Sequence, residues 1–432
     1  MRRPARLHYA WIVFVTAFVT LLGAAGFRST PGILIDPLRE EFGWSRATVG
    51  TAVSINVALF GFIGPFAAAL QARYGLRRVT VIALITISLG ALGTTQMDAT
   101  WQLFLLWGVV VGIGSGCMAT VFASTVASRW FVARRGLVTG ALTAATASGQ
   151  LVFLPVLSRL AEGVGWRWVG FTIACGALGV VPLVVLFLRD RPEDIGLRPY
   201  GAPADHPPTT SGVGTRPIHA AFSAFGAAYH SGTFWLLFGS FFVCGLSTNG
   251  LIQTHFVSAA HDHGLSASTA AGYLALIGVF DVIGTIGSGY LTDRVDPRKL
   301  LVVYYLLRGL SLLVIDPALA AGGGGLLGFM VFYGLDWVAT VPPTVALCLD
   351  EFGTTRGPLV YGWVFAGHQL GAALAAWGAG ELRDVTGTYR PAFVAAGICC
   401  MVAAVGVTRI RQRDAAPPPP IPTPTPTPIL TP

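Results

Sequence analysis

Residues 278–309 decide the fold. Their sequence is GVFDVIGTIGSGYLTDRVDPRKLLVVYYLLRG: an apolar run, a short basic connection and a second apolar run. Asp281 lies within the first run and Arg308 within the second. A charge at the centre of a bilayer costs roughly 2.5–3.5 kcal/mol on insertion scales, so such residues usually face a bundle interior or a water-filled path. The stretch therefore predicts two membrane spans, each with one charge kept away from lipid.

The composition of the whole chain indicates an integral membrane protein. Of its 432 residues, 53% are hydrophobic and only 11% are charged, and the mean hydropathy is +0.66. A soluble domain carries about 25% charged residues, so this chain has too few polar groups to cover a water-facing surface. Its 54 glycines suit membrane helices that pack backbone to backbone.

The net charge of +8 does not indicate a nucleic-acid partner, because the arginines cluster in short segments between apolar runs, as orientation signals do. The six cysteines show no CxxC pair and no accompanying histidine pattern, so the sequence predicts neither a disulfide framework nor a metal site. We expect no cofactor. The cysteines are interpreted as small buried hydrophobes: Cys117, Cys175, Cys244, Cys348, Cys399 and Cys400.

Apolar runs of spanning length, about 20 residues each, recur through the chain. A polar stretch rich in proline and glycine divides them six and six. We expect an N-terminal six-helix bundle (1–188), a cytoplasmic linker (189–232), a C-terminal six-helix bundle (233–411) and a disordered proline-rich tail (412–432). The twelve candidate spans are 10–34, 47–70, 79–97, 101–124, 136–160, 167–188, 234–257, 268–291, 300–320, 325–349, 358–381 and 389–409.

The arginines predict the orientation. Basic segments such as MRRPAR, ARYGLRR, RWFVARR, DRVDPRK and RIRQR alternate along the chain with segments poorer in basic residues, such as QMDAT and HDHGLSAS. The positive-inside rule then puts both termini and the linker in the cytoplasm, and we expect a bacterial inner (plasma) membrane. GTYRP and DPLREEFGWSR carry some arginine on the outer side, so the bias is strong without being absolute.

A short motif occurs once in each half. Residues 70–78 are LQARYGLRR and residues 291–299 are LTDRVDPRK, and each segment follows the second span of its half. Arg73 and Arg294 lie 221 residues apart. Internal duplication of this kind predicts two related bundles around a central axis.

At these residues the chain resembles the major facilitator superfamily of secondary transporters. The resemblance implies an all-α membrane fold of 12 transmembrane helices in two pseudo-symmetric six-helix bundles. Its motif after the second span implies a conformational gate, in which an aspartate braces a neighbouring helix. In the first copy Ala72 stands where that aspartate belongs. The gate residues are Gly289, Asp293, Arg294 and Arg298 (with Lys299) in the second copy, and Arg73, Gly75 and Arg77 in the first.

A narrower resemblance is to the monocarboxylate transporter and oxalate:formate antiporter branch. It rests on residues 26–50, 128–140 (SRWFVARRGLVTG) and 280–284 (FDVIG). The resemblance implies that Arg28 takes the place of a first-span lysine used in substrate and proton handling. Asp281 matches an eighth-span aspartate of the animal members, but Thr285 stands where those members carry an arginine.

The two charges of the opening stretch could pair. Asp281 lies about 10 residues before the connection and Arg308 about 10 after it, so both are roughly 15 Å deep on consecutive helices. An ion pair between them is therefore geometrically plausible. It would act as a proton or substrate-anion switch, or else as a structural lock between two helices.

Five further residues are candidates for the site. Asp336, in the tenth run, is a second candidate proton carrier or an acid satisfied by its neighbours. Arg28 suits bidentate capture of a carboxylate, or could snorkel to the outer interface. Asn249, His255 and His368 are weaker substrate-binding candidates, since a lone membrane histidine is more often a packing residue.

The glycine-rich segment GVVVGIGSG (108–116) does not predict a nucleotide site, because it lacks the preceding strand and the downstream acid of a dinucleotide fold. The sequence shows no nucleophile triad, so we expect no enzyme, and no Walker motif, so uphill transport must use a gradient.

The expected function is secondary transport of a small organic anion, a monocarboxylate, by alternating access with proton coupling or exchange. The expected partners are that anion, protons and the lipid bilayer, and a monomer is compatible with the sequence. Two alternatives stay open: efflux of apolar or cationic compounds, and a non-transporting membrane sensor.

Overall fold

The described part of the chain is helical throughout. The computed structural model describes residues 8–26, 34, 37–204 and 216–410, and within them it contains no β-strand, only one isolated bridge between Phe131 and Tyr200. Arg28 and the tail 412–432 lie outside the described residues.

The described residues of the first half form seven helices and a further short helical stretch at 37–42. The second and third of them form one bent span, and the fifth contains a π-helical turn at Phe104–Val111. They are α1 (Tyr9–Ala24), α2 (Arg46–Phe62), α3 (Gly64–Tyr74), α4 (Leu76–Thr94), α5 (Thr100–Trp130), α6 (Arg135–Gly163) and α7 (Arg167–Phe187).

The second half follows a short connecting helix. Its first span contains a π-helical turn at Leu246–Ile252, and its longest helix is kinked at Gly353, where φ is +75°. The helices are α8 (Pro217–Tyr229), α9 (Gly232–Asp262), α10 (Ala267–Thr292), α11 (Pro297–Ala321), α12 (Gly323–Asp336), α13 (Val341–Thr386) and α14 (Arg390–Val407).

Length and composition qualify most of these helices as membrane spans. Among the described residues, eight helices are long and apolar enough to cross a bilayer, or nine if α2 and α3, bent by 50°, count as one. α1 is apolar but shorter, and the stretch Gly323–Thr386 is long enough for two crossings. Each of the twelve runs expected from the sequence overlaps a helix in the described residues.

The two halves meet closely at one end of the bundle. We call this end the basic-loop face; it carries the connections 74–76, 131–135 and 293–296. There α6 crosses α10 at glycines: a Cβ on Gly289 would lie 2.5 Å from the carbonyl oxygen of Gly136. α3 likewise meets α13, where a Cβ on Gly362 would lie 2.5 Å from the nitrogen of Pro65. Only glycine allows backbones this close, so the halves are in contact at this face.

Helix α8 departs from the expected polar linker. Residues 217–229 (PIHAAFSAFGAAY) form an amphipathic helix that packs on α3 and α13. The indole of Trp363 donates a hydrogen bond to the carbonyl of Ala221 (3.0 Å), and Phe222 packs edge-on against Phe66. The linker is therefore partly attached to both halves, and the domain boundaries given above stay predictions.

Candidate functional site

A small polar cavity lies between the two halves. Its volume is about 80 Å³, and α2, α5 and α6 of the first half face α9, α10, α13 and the end of α12 across it. Aromatic side chains bound it: Phe60, Phe241, Phe365 and Trp337. The polar side chains on its wall are Thr120, Thr143, Thr146, Thr248, Asn249, Gln253, Asp281, His368 and Gln369.

Asp281 provides the carboxylate of the cavity wall. Only 2% of the residue is exposed, and its Oδ1 accepts hydrogen bonds from the hydroxyl of Thr285 (2.8 Å) and the backbone N–H of Val338 (3.1 Å). Thr285 thus orients the acid from one helical turn away. Two donors therefore hold the carboxyl on the wall of a cavity between the halves.

Arg308 lies one layer behind the cavity and is fully buried. Its Nε donates to Oδ2 of Asp336 at 2.5 Å, and its Nη2 donates to the carbonyl of Trp337 at 3.1 Å. Its Nη1 donates to the sulfur of Cys244 at 3.0 Å, and Cys244 lines the cavity. The guanidinium therefore does not line the cavity itself, but it contacts two residues of the cavity wall, Cys244 and Trp337.

The geometrically plausible ion pair between Asp281 and Arg308 is not formed in this structure, because Arg308 pairs with Asp336. The physical reason is packing. α10 lies against α6 and α12, whereas α11 lies against α14 and α12. Two helices joined by a short loop need not face each other along their length, so equal depth did not bring the two charges together.

Asp336 is the last residue of α12. Its Oδ2 pairs with Arg308, and its Oδ1 has no hydrogen-bond partner among the described residues. Its exposed fraction is 6%. The buried ion pair links α11 to α12. Loss of either charge would leave the other buried and uncompensated.

Asn249 and His368 both line the cavity. Asn249 lies in the π-helical turn of α9, and such turns are frequent at functional sites. His368 stacks on Phe365, with 5.8 Å between ring centroids, and is 8% exposed. Beside it, Oε1 of Gln369 is a buried acceptor with no partner in the described part of the chain.

His255 lies away from the cavity. Its Nε2 is 2.9 Å from the carbonyl oxygen of Ala376 and its Nδ1 is 3.3 Å from the hydroxyl of Tyr389, so it ties α9 to α13 and to the start of α14. These contacts favour the packing role over substrate binding. Arg28 is not among the described residues, and its role stays a prediction.

The second copy of the repeated motif forms a contact between the halves. Asp293 accepts hydrogen bonds from the backbone N–H groups of Gly136 (2.7 Å) and Leu137 (2.9 Å), at the start of α6. A carboxylate at a helix N-terminus satisfies unpaired N–H groups and the helix dipole. Arg294 lies over the ring of Tyr290 at 3.5 Å. Asp293 thus holds the basic-loop face together at this point.

The first copy uses a different acid within its own half. Gly75 has φ of +93°, and the N–H of Arg77 donates to Oδ1 of Asp190 at 2.7 Å. Arg73 lies over the ring of its neighbour Tyr74 at 5.4 Å. Asp190, which follows α7 in sequence, therefore caps α4. Sequence analysis missed it because nothing in the RDRPED segment indicates which of its acids turns back.

Sequence analysis also missed the threonines of the cavity and Cys244. Hydroxyls on apolar helices are common and usually bond their own backbone, so only their convergence from α5, α6 and α9 distinguishes them. The polar residues opposite Asp281 come from several helices, so the spacing of residues along one helix could not predict them.

These features define a membrane transporter built from two related bundles around a central cavity. The sequence matches the model of the Major Facilitator Superfamily over residues 14–376, and the chain belongs to this superfamily. The predicted fold class and family are thereby confirmed, and the chain is a transporter rather than an enzyme.

Curated relatives cover most of the chain. It is 26% identical over 393 residues to the uncharacterized MFS-type transporter YcxA of Bacillus subtilis, covering 90% of this chain and 91% of that protein. It is 27% identical to rat monocarboxylate transporter 13 (92% of this chain, 88% of the relative) and 27% identical to human monocarboxylate transporter 11 (90% and 80%). Similarity to the monocarboxylate transporter branch is thus confirmed.

Solved structures share the fold. The Escherichia coli fucose:proton symporter FucP superposes with a TM-score of 0.70 at 18% identity, over 94% of this chain and 100% of that one. The human organic anion transporter MFSD10 gives a TM-score of 0.69 at 14% identity, over 94% and 100%.

Proposed function

We propose that this protein is a secondary active transporter of a small organic anion, a monocarboxylate, coupled to protons. The observation that carries the proposal is Asp281, a buried carboxyl on the wall of a small polar cavity between the halves. The similarity to proteins named monocarboxylate transporters supports the substrate class.

Proton coupling would follow from electrostatics. A carboxylate substrate beside an ionised Asp281 would place two negative charges together in a low dielectric, so the substrate binds better once Asp281 is protonated. By linkage, the bound substrate favours protonation to the same extent. Anion and proton would then cross together, which is symport, or anions would exchange at constant protonation.

Hydrogen-bonding groups around Asp281 suit a carboxylate. Asn249 and Gln253 carry amide N–H donors. The hydroxyls of Thr143 and Thr146, on the opposite wall, donate to carbonyls of their own helix and would have to turn away from them to bind the anion. Arg28 is proposed as the direct positive partner of the anion. Arg308 is proposed to act from behind the wall, with Asp336 as a second proton carrier whose protonation would release its charge.

The conformational cycle is alternating access. The glycine contacts and the Asp293 cap close the basic-loop face in this state, and rocking of the halves would open it while closing the other end. The basic residues at this face (Arg77, Arg78, Arg134 and Lys299 among them) support a cytoplasmic location for it, in a bacterial inner membrane with both termini inside.

Uptake by proteoliposomes tests the substrate class. Labelled lactate and formate should accumulate when a proton gradient is directed inward, and unlabelled monocarboxylates should compete. An apolar cation should neither accumulate nor compete. Gradient-driven export of apolar cations, without any carboxylate uptake, would contradict the proposal and favour efflux.

Cysteine labelling tests the orientation. In a variant without native cysteines, Lys299→Cys should react with an impermeant maleimide only after the cells are broken, whereas Asp98→Cys should react in intact cells. The opposite pattern would reverse the proposed topology.

A further inference from the structure

A second, smaller pocket lies at the basic-loop face where the first motif has lost its acid. Its volume is about 30 Å³, which is room for one water molecule or one small ion. Residues of both halves line it, among them Ala68, Ala72, Arg129, Arg191, Thr354 and Thr355.

The second copy of the repeated motif shows which group lies at the equivalent position in the other half. Ala72 is the counterpart of Asp293, whose carboxylate caps α6 immediately after Arg134, a residue with φ of +61°. In α13 the helix restarts after Gly353, with φ of +75°, so Thr355 and Arg356 are the counterparts of the capped residues, and Thr355 lines the pocket. That helix start lacks the carboxylate that its counterpart has, and no acidic side chain of the described residues lines the pocket.

The guanidinium of Arg129 indicates that a ligand in this pocket would be negatively charged. Arg129 donates to the carbonyl oxygens of Gln71 (3.1 Å) and Asp190 (3.5 Å), and in the described chain no carboxylate lies within ion-pair distance of it. The acids nearest to it are Asp190, Glu193 and Asp194. They act at longer range, and the carboxylate of Asp190 is already bound by a backbone N–H.

The neighbouring surface offers a path into the pocket. A cleft shares Ala72, Arg129 and Arg191 with it and contains more arginines than acids. Arg73, Arg77 and Arg78 stand on its wall together with Asp190 and Asp194. A cleft with an excess of one charge raises the local concentration of counter-ions.

We propose that the pocket binds one small inorganic anion, of about the size of chloride, in place of the missing carboxylate. The anion would bridge the Arg129 guanidinium of the first half to the start of the second helical segment of α13. It would thereby stabilise contact between the halves at the basic-loop face and make the conformational equilibrium sensitive to anions. This regulation is separate from the central cavity and holds for any substrate.

Thermal stability of the purified full-length protein tests the site without measuring transport. Gluconate, which is too large for the pocket, is replaced by chloride at constant ionic strength. The wild type should show a saturable rise in melting temperature of roughly 2–4 °C. Ala72→Asp supplies the carboxylate, so its melting temperature should not depend on chloride. Ala204→Asp, which adds the same charge on the linker surface outside the pocket, should keep the wild-type response.

Two further measurements keep the test decisive. Arg129→Gln should lose the chloride response even if Ala72→Asp folds poorly. In wild-type crystals soaked in bromide, an anomalous peak should lie beside Arg129 and Thr355. A wild type without a saturable response, a response retained in both pocket variants, or a bromide-soaked crystal with no peak there would overturn the proposal.

Discussion

At the residue scale, the position of Arg308 shows how a membrane protein keeps a charge in its interior. The side chain is fully buried and directs its donors to Asp336, the carbonyl of Trp337 and the sulfur of Cys244. The sequence predicted that Arg308 and Asp336 are charged residues inside the membrane and candidates for the functional site. It could not predict that these two residues pair with each other. The pairing depends on the rotation of α11 and α12 about their own axes, which the sequence does not give.

The pair predicts an unequal response to mutation. Arg308→Met or Asp336→Leu alone should destabilise the protein by about 3–5 kcal/mol, because each leaves an uncompensated buried charge. The double variant should recover most of that loss, since an apolar pair of similar volume avoids the desolvation cost. Melting temperature in detergent measures this.

The same variants separate structure from function. A stable double variant that still transports would make the pair a structural lock between the helices. A stable double variant without transport would support the proposed role of these charges. Equal loss of stability in the single and double variants would contradict the pairing.

At the scale of the element, helix termini and crossings determine where this chain can move. The sequence predicted the repeated motif and its gate residues, and Asp293 does cap α6 across the halves. It could not predict that Asp190 would cap α4, or that residues 217–229 would form a helix. Both depend on contacts between segments far apart in the chain.

The crossing of α6 and α10 predicts a steric effect. Gly289→Ala would place a methyl group 2.5 Å from the carbonyl oxygen of Gly136, so the basic-loop face should close less often. Gly287→Ala is the matched control, because a Cβ there has no neighbour within 4 Å. Spin labels at the exposed positions Ala133 and Val295 should report a larger long-distance population only in Gly289→Ala. Equal distance distributions in the two variants would contradict closure through this contact.

The start of α11 predicts a pH dependence. Asp296 accepts from the N–H of Arg298 (2.9 Å), and the guanidinium of Arg298 holds the pKa of Asp296 below its usual range. A lowered pKa means that the cap stabilises the helix above the unfolded value of about 3.9, and that this contribution disappears as pH falls through the lower folded value. Asp296→Ala should cost about 1 kcal/mol at neutral pH.

Hydrogen-exchange protection of the first turn of α11 measures that cap. Asp296→Asn, which keeps an acceptor without the charge, should retain part of the protection. The difference between wild type and Asp296→Asn should vanish at low pH. A difference that persists at a pH where Asp296 is shown to be protonated in the folded protein would mean that its charge is not responsible.

At the scale of the whole molecule, composition and periodicity were sufficient for the architecture. The twelve runs, their division six and six and the duplicated motif led to the major facilitator superfamily, which the match over residues 14–376 confirms. The cavity was only partly predictable. Asp281, Asn249 and His368 stand out as polar groups in apolar runs, whereas the threonines and aromatics acquire meaning only when both halves meet.

The central claim is that a carboxyl kept in the cavity between the halves couples transport to protons. Accumulation of a labelled monocarboxylate by proteoliposomes under an inward proton gradient tests it most directly, with exchange at equal pH measured alongside. Asp281→Asn should lose gradient-driven accumulation and keep exchange. Asp316→Asn, which removes an acid that faces His263 outside the cavity, should keep both. Full gradient-driven accumulation by Asp281→Asn would contradict the account.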